Sequence, residues 1–242
     1  MNEGDTTLGG AGRAFPDTVA EFLSWIRDPS PDGRERGLEA LCQRYWKPIY
    51  YYFRVGWAKS NEDAKDLTQA FLLWVAQGEA LARYLPERAS FRTYLKTLLK
   101  RFAQHDEEAR SREKRGGDIQ LLGLEEVDDS ALPRRPGDNP ETVFDRAWLR
   151  LLMERAVDRV RRRFKADGRE NKIRIFEEYD LADPASRPTY GELADRLGLK
   201  EDDVRNSLFA VREQIRSEMF SEISTLTSSE DLKEEWNGLF GL

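Results

Sequence analysis

The sequence predicts an all-α protein of two small helical domains joined by an acidic, flexible linker. Apolar residues recur at helical intervals almost throughout the 242 residues, and no run alternates polar and apolar residues as a strand would. Between Gly116 and Pro140 this periodicity stops, and glycine, proline and acidic residues dominate. Such a composition is typical of a linker between domains. Charged residues make up 35% of the chain and hydrophobic residues 39%, a balance that favours small helical units over one thick core.

Three helices are predicted in the first part of the chain. A short helix at about residues 17–27 should end in the turn DPSPDG. A longer helix at about residues 36–55 follows, and Pro48 should kink it because proline lacks a backbone donor. Ser60 then caps a third helix, with Asp63 as its capping-box partner. The predicted buried stripe of this third helix is Ala64, Leu67, Phe71, Trp74 and Val75.

A fourth helix is predicted from Ser90, its cap, to about Arg115, where Gly116 and Gly117 end it. The side opposite its apolar stripe is basic and consists of Arg92, Lys96, Lys100 and Arg101. The basic run continues with Arg110, Arg112, Lys114 and Arg115. Such a run is usually a solvated face, but here aromatic residues flank the helix, and this combination favours contact with nucleic acid.

Beyond the linker, the predicted helices lead to a helix-turn-helix. They resume at about Glu141, break near ADGREN, resume at KIRIFEEYDLA and turn at DPASRP. The stretch TYGELADRLGLKEDDVRNSLFAVREQIR, residues 189–216, follows. Ala194, Gly198 and Val204 have the spacing of a small contact residue, a left-handed turn and an early core residue. An ordinary helical hairpin is the alternative for this pattern.

The net charge of -6 hides basic segments that suit contact with DNA. Residues 83–115 hold ten Lys or Arg against five acids, and residues 146–174 hold eleven against four. Residues 118–145 hold eight acids and two arginines. Because attraction to phosphate acts within about 10 Å at ordinary salt, the local basic segments count for more than the chain total. The three acids that open the second helix of the pair suit its positive dipole end.

Catalytic and metal-binding groups are scarce in this sequence. Cys42 is the only cysteine, which excludes an internal disulfide and a cysteine-based zinc site, and its apolar neighbours at helical spacing indicate a core residue. His105 is the only histidine, so no two-histidine metal site is present. We therefore expect no enzyme activity, no cofactor, no metal and no small-molecule substrate.

No apolar run approaches the roughly 20 residues of a membrane span. The opening residues lack the basic-then-apolar order of a signal peptide. A cytoplasmic location and no membrane partner are the expectation.

The order of these parts resembles that of the extracytoplasmic-function (ECF) sigma factors, the small promoter-specificity subunits of bacterial RNA polymerase. LEALCQRYWKPIYYYFR, NEDAKDLTQAFLLWV and FRTYLKTLLKRFAQHDEEARSREKRGG resemble their region two. The helix-turn-helix and the basic helix before it resemble region four. The resemblance covers about residues 36–216. It implies a tail at residues 1–15, region two at 16–117, an acidic linker at 118–140, region four at 141–223 and an acidic tail at 224–242.

The resemblance also implies roles for particular residues. Docking on the clamp of the polymerase core is implied for Asp63, Asp66, Leu67, Gln69 and Phe71, with Leu67 and Phe71 supporting that surface from below. Recognition and melting of the minus-ten element is implied for Arg92, Lys96, Lys100, Arg101, His105, Arg110, Arg112, Lys114 and Arg115. Reading of the minus-thirty-five element is implied for Lys200, Arg205, Asn206, Phe209 and Arg212. The linker would thread the RNA path, and the implied partners are core polymerase at its clamp and flap, promoter DNA and an inhibitory anti-sigma-type protein.

Several alternatives stay open at this stage. The chain could be a sigma-like protein-interaction or decoy module, or a stand-alone helix-turn-helix regulator that reads DNA without polymerase. Trp236 and Phe240, on one face of a predicted helix, either fold back on region four, which we favour, or bind an inhibitor. Thr68 is either an ordinary helix threonine, which we favour, or a phosphorylation site.

Overall fold

The computed structural model describes residues 24–25, 27–28, 30–77, 80–112, 132–224, 227 and 232–240. Within these ranges the protein forms helices and no strands, which confirms the all-α prediction. The eight α-helices of the described chain are α1 (Pro31–Tyr51), α2 (Asn61–Gln77), α3 (Phe91–Arg112), α4 (Pro140–Ala166), α5 (Glu170–Asp180), α6 (Tyr190–Leu197), α7 (Glu201–Ser224) and α8 (Leu232–Phe240). Of the predicted helix at residues 17–27, Ser24, Trp25 and Arg27 are described and are helical. The rest of that helix and most of the predicted linker lie outside the described residues.

Helix α1 begins earlier than its sequence pattern predicts. The expected turn DPSPDG contains its cap, because the Ser30 hydroxyl accepts a hydrogen bond from the Gly33 amide at 3.0 Å. Pro31 then occupies the first helical turn, where the missing amide has no partner to lose. The helix continues through Pro48 to Tyr51, and a π-helical turn at Tyr52–Gly56 follows it.

The caps of α2 and α3 confirm two sequence predictions. The Asp63 amide donates to the Ser60 hydroxyl at 3.1 Å, and that hydroxyl donates to the Asp63 carboxylate at 2.8 Å. At α3 the Ser90 hydroxyl accepts from the Thr93 amide at 3.3 Å. These contacts satisfy amides in the first turn that have no partner within the helix.

Two compact units divide the chain, and their boundary falls inside α4. The first unit runs to Leu151 and also includes the residues from Ile223 onward, and the second is Leu152–Glu222. The boundary therefore differs from the predicted one at residues 118–140, and helix α8 belongs to the first unit. An aromatic contact explains why the start of α4 belongs to the first unit. Tyr45 of α1 stacks on Phe144 of α4, with ring centroids 6.4 Å apart.

Close backbone packing at Gly56 fixes the start of α4 against the π-helical turn. A Cβ at Gly56 would come within 2.6 Å of the Pro140 Cα, so a side chain there would require the backbone to move. Aromatic residues fill the core behind this contact, and Tyr45, Tyr52, Tyr84, Phe53 and Phe91 are almost fully buried. The first unit is therefore held by rings from α1, the π-helical turn, α3 and α4.

In the second unit the helix-turn-helix has the predicted form. Helix α6 starts with a capping box between Thr189 and Glu192 and ends at Gly198, whose φ is 66°. Ala194 and Val204 are buried, as their spacing predicts. Helix α7 then extends to Ser224, close to the predicted end at about Ile223.

The thiol of Cys42 should be unreactive in the native protein. Cys42 is buried, and desolvation, with a smaller effect of Glu39, raises its pKa to about 12. Since the thiolate is the reactive form, we expect no reaction with a thiol reagent at about pH 8 and a full reaction after denaturation. Rapid native labelling followed by mass spectrometry would contradict this burial.

Substitution of Gly198 by alanine should destabilise the helix-turn-helix. An added Cβ would meet no atom within 4 Å, so the cost comes from the positive φ alone. We expect a loss of about 1 kcal/mol in the free energy of unfolding, measured by urea denaturation. Gly238→Ala is the control, because its Cβ also enters open space within a helix, and it should leave stability unchanged or raise it. Equal losses in both variants would contradict the role of φ.

Candidate nucleic-acid interface

Helix α2 presents an acidic outer face over a buried aromatic layer. Asp66 is exposed, and Asp63 and Gln69 are half-buried. Leu67 and Phe71 are buried, so they underlie this face as expected. The Thr68 side chain is also fully buried, and its hydroxyl donates to the Ala64 carbonyl at 2.7 Å. That geometry agrees with an ordinary helix threonine.

Trp74 differs from its predicted place in the buried stripe of α2. Its side chain is 42% exposed, with its ring 6.0 Å from Phe71 and 5.8 Å from Phe102. It lies about two turns along the helix from Asp66. The indole therefore adds apolar surface beside the acidic face, where protein contacts favour aromatic residues.

The first cations of α3 are covered, although the sequence predicts an exposed basic side. We call Arg92, Lys96 and Lys100, which are spaced four residues apart, the basic row. Their side chains are 9%, 15% and 59% exposed. Lys96 donates to Asp145 at 2.8 Å, and Lys100 lies 3.9 Å from Glu141. The basic row is covered by acidic residues of α4 and α8. From the sequence, we expected these acids to lie in the linker, in region four and in the tail.

Arg92 lies at the centre of a buried ionic cluster. Its Nε donates to the Glu235 carboxylate of α8 at 2.5 Å, and its Nη1 donates to Asp145 of α4. The Ser90 hydroxyl donates to the second oxygen of Glu235 at 3.0 Å. The guanidinium also lies over the Trp148 ring, 5.6 Å from its centroid. Helix α8 thus contacts the rest of the first unit, to which it also belongs, through Glu235, whereas we expected Trp236 and Phe240 to fold back on region four; the Phe240 side chain lies outside the described residues.

The charge on Arg92 is secured by its partners. Burial by itself would lower its pKa, but the hydrogen bond that Arg92 donates to Glu235 and the charges of Asp145 and Glu235 outweigh burial and raise the pKa. Arg92 therefore stays a cation in a largely dry site, where an unpaired charge would be costly.

Further along α3 the candidate DNA-binding side chains are accessible. Arg101 and His105 are exposed, and so is Lys100. The side chains of Arg110 and Arg112, together with Lys114 and Arg115, lie outside the described residues. On the described part of α3, the exposed cationic surface therefore begins at Lys100, more than two turns into the helix.

A cavity that sequence reasoning missed opens beside Lys100. It measures about 630 Å³, and its walls include Tyr52, Trp57, Lys100, Gln104, Arg134 and Asn139. These residues come from three separated segments, so no local pattern indicates it. The accessible aromatic ring there is that of Trp57, and together with the amides it suits an unpaired base, while Glu141, which also lines the cavity, disfavours a phosphate.

The helix-turn-helix exposes all five predicted reading residues: Lys200, Arg205, Asn206, Phe209 and Arg212. Phe209 is 66% exposed, which is unusual for a large apolar side chain. The two arginines are engaged by carboxylates, Arg205 by Asp202 at 2.7 Å and Arg212 by Asp180 at 2.8 Å. The reading face is therefore close to neutral in this structure.

The acidic opening of α7 has a local structural role. The Asp203 carboxylate accepts a hydrogen bond from the Lys200 amide at 3.2 Å. Acidic groups in the first turn also oppose the positive end of the helix dipole. These acids are therefore compatible with a reading surface that starts at the next turn.

No group of three potential metal ligands occurs among the described residues. In the same part of the chain, every helix is too short or too polar to span a bilayer.

Comparison with known proteins identifies the family. A family model described as "ECF sigma factor" matches residues 17–221, which includes α1 to α6 and most of α7. No curated protein and no solved structure gives a significant match to the chain. Because the matched residues make up most of the 242, this chain belongs to the ECF sigma factor family, whose members are alternative sigma factors of transcription initiation.

Proposed function

We propose that this sigma factor binds RNA polymerase core through α2 and directs initiation at promoters recognised by α3 and α7. One observation supports this proposal most strongly. The first unit combines the exposed acidic face of α2 with the basic helix α3, and the second unit contains a complete helix-turn-helix. Membership of the family supports both assignments.

Docking of α2 on the polymerase is supported by its surface. Asp66 supplies charge for steering and register, and the exposed Trp74 supplies apolar area for a protein contact. Leu67 and Phe71 hold the helix rigid from below because both are buried. The same exposed face would suit an inhibitory protein that competes with the polymerase.

Recognition of the minus-ten element by α3 is supported by its exposed cations and its cavity. Lys100, Arg101 and His105 offer contacts to backbone phosphates of the displaced strand. The neighbouring cavity, with Trp57 in its wall, could hold a base that has left the stack. Arg92 and Lys96 are covered by carboxylates in this structure, so each joins this surface only where a carboxylate moves away from it.

Reading of the upstream element by α7 depends on polymerase as an anchor. Asn206 suits adenine in the major groove, and the exposed Phe209 suits the methyl group of thymine. With Arg205 and Arg212 engaged by carboxylates, the helix offers little attraction to DNA by itself. This neutral face also favours a second function, a sigma-like protein-binding module that has lost promoter reading.

Core-dependent start-site mapping separates these functions. The protein is mixed with bacterial polymerase core and fragmented genomic DNA, and the transcript starts are sequenced. Starts that share spaced upstream motifs, and that vanish without the protein, would support the sigma function. Tight core binding without any starts would support the protein-binding module instead.

Asp66→Arg should weaken core binding by about tenfold or more, since it places a cation against the surface that the carboxylate meets. Binding is measured by fluorescence anisotropy of labelled protein titrated with core. Glu35→Arg makes the same charge change at an exposed site of α1 with no proposed role and should bind normally. Circular dichroism checks that helicity is unchanged. Equal affinities of the two variants would contradict the docking assignment.

Phe209→Ala should reduce transcription from a mapped promoter by about fivefold or more, through loss of an apolar contact with the DNA. The change should leave the thermal midpoint almost unaffected, since the side chain is 66% exposed. Phe220→Ala is the matched control, an exposed phenylalanine on the same helix beyond the helix-turn-helix. Equal transcription by the two variants would argue against reading by Phe209.

A further inference from the structure

Helix α8 contacts the beginning of α3 through a buried carboxylate, that of Glu235. Glu235 is 9% exposed, and its two oxygens accept from Arg92 and from Ser90, the cap of α3. Neither the capping pattern at Ser90 nor the basic side of α3 predicts a partner in the last turns of the chain. The contact joins residues 143 positions apart.

Three carboxylates of α4 and α8 oppose the basic row. We call Glu141, Asp145 and Glu235 the acidic strip. Along α3 from Lys100 to Arg92 the partners are Glu141, then Asp145, then Asp145 with Glu235. Helix α4 therefore runs opposite to α3 along this contact, and α8 completes the strip where α4 provides only one acid to Arg92.

The ionic contact at Arg92 is suited to exchange. A guanidinium binds carboxylate and phosphate with the same planar set of donors, so its hydrogen bonds survive a change of partner. A buried ion pair also adds little net stability, because desolvation offsets most of the attraction. Helix α8 has nine residues, fewer than the roughly 12 to 15 that an isolated helix needs, so its fold depends on docking. Its release would therefore be a local unfolding that leaves Arg92 paired with Asp145.

We propose that α8 is an intramolecular competitor of DNA: Glu235 occupies the Nε of Arg92, and displacement of α8 opens that donor to a phosphate of the non-template strand while Asp145 keeps Nη1. This inference rests on the proposed contact of α3 with promoter DNA. It makes the free protein a weaker DNA binder than its basic helix alone would be. Binding of a DNA strand at Arg92 is then coupled to departure of Glu235 and its helix α8 from the acidic strip.

Substitution of Glu235 by glutamine tests the competition. Binding of full-length protein to a fluorescein-labelled single strand of about 20 nucleotides of mixed sequence is measured by anisotropy at several salt concentrations. One released phosphate contact should raise the affinity roughly five- to tenfold at about 50 mM salt and steepen the log–log salt slope by about 0.7. Asp145 still pairs with Arg92 in this variant, so the fold should persist.

Glu234→Gln is the matched control, because it removes the same charge from the neighbouring, exposed position of α8. It should raise the affinity by less than about twofold, since an exposed charge acts through screened solvent. Arg92→Gln combined with Glu235→Gln should abolish the gain. An equal gain in both single variants, or a gain that persists in the double variant, would overturn the competition.

Hydrogen exchange of the wild-type protein provides a test that needs no variant. Saturation with the same single strand should increase exchange of the amides of residues 232–240, as α8 leaves its site. Unchanged protection of these amides in the DNA complex would overturn the proposal while leaving the sigma function intact. Failure of wild type and Glu235→Gln to bind DNA, even with core polymerase present, would overturn both.

Discussion

The contact of Arg92 with Asp145 and Glu235 is the constraint on which the arrangement of the first unit depends. It joins three helices from distant parts of the chain, α3, α4 and α8, at one cation that is almost completely buried. A buried guanidinium without partners would be strongly destabilising, so the carboxylates must accompany it. The start of α4 and the tail helix consequently belong to the same unit as α1 to α3, and the boundary between units falls within α4.

Aromatic packing around this cluster makes the position of the carboxylates specific. Tyr45 of α1 contacts Phe91 and Phe144, which flank the ionic site on α3 and α4. Pro140 packs against Gly56 so closely that no side chain fits between them. The apolar contacts and the ion pairs therefore act together to hold Glu141 and Asp145 opposite the basic row. Packing supplies most of the stability, while the charges set which face of α3 is available.

The two candidate DNA surfaces share one electrostatic property, since cations on both are engaged by carboxylates of the same chain. On α3 these come from other helices, and on the reading face they come from Asp202 and Asp180. Such pairing lowers non-specific attraction to DNA, which depends on free cations. A specificity subunit that acts on a larger enzyme has little need of strong binding by itself, and weak free binding limits unproductive contacts with DNA.

The amino-acid sequence by itself determined the helices, their caps, the helix-turn-helix and the family. These features follow from local chemistry: Ser60 and Ser90 reach amides three residues away, and Gly198 suits a left-handed turn. Tertiary structure alone decided that Trp74 is exposed, that Arg92 is buried and that α8 joins the first unit. Each of these depends on which distant side chains meet, as Glu235 meets Arg92 across 143 residues. Helical periodicity shows which side of a helix is apolar, but it contains no information about which carboxylate will cover the basic side.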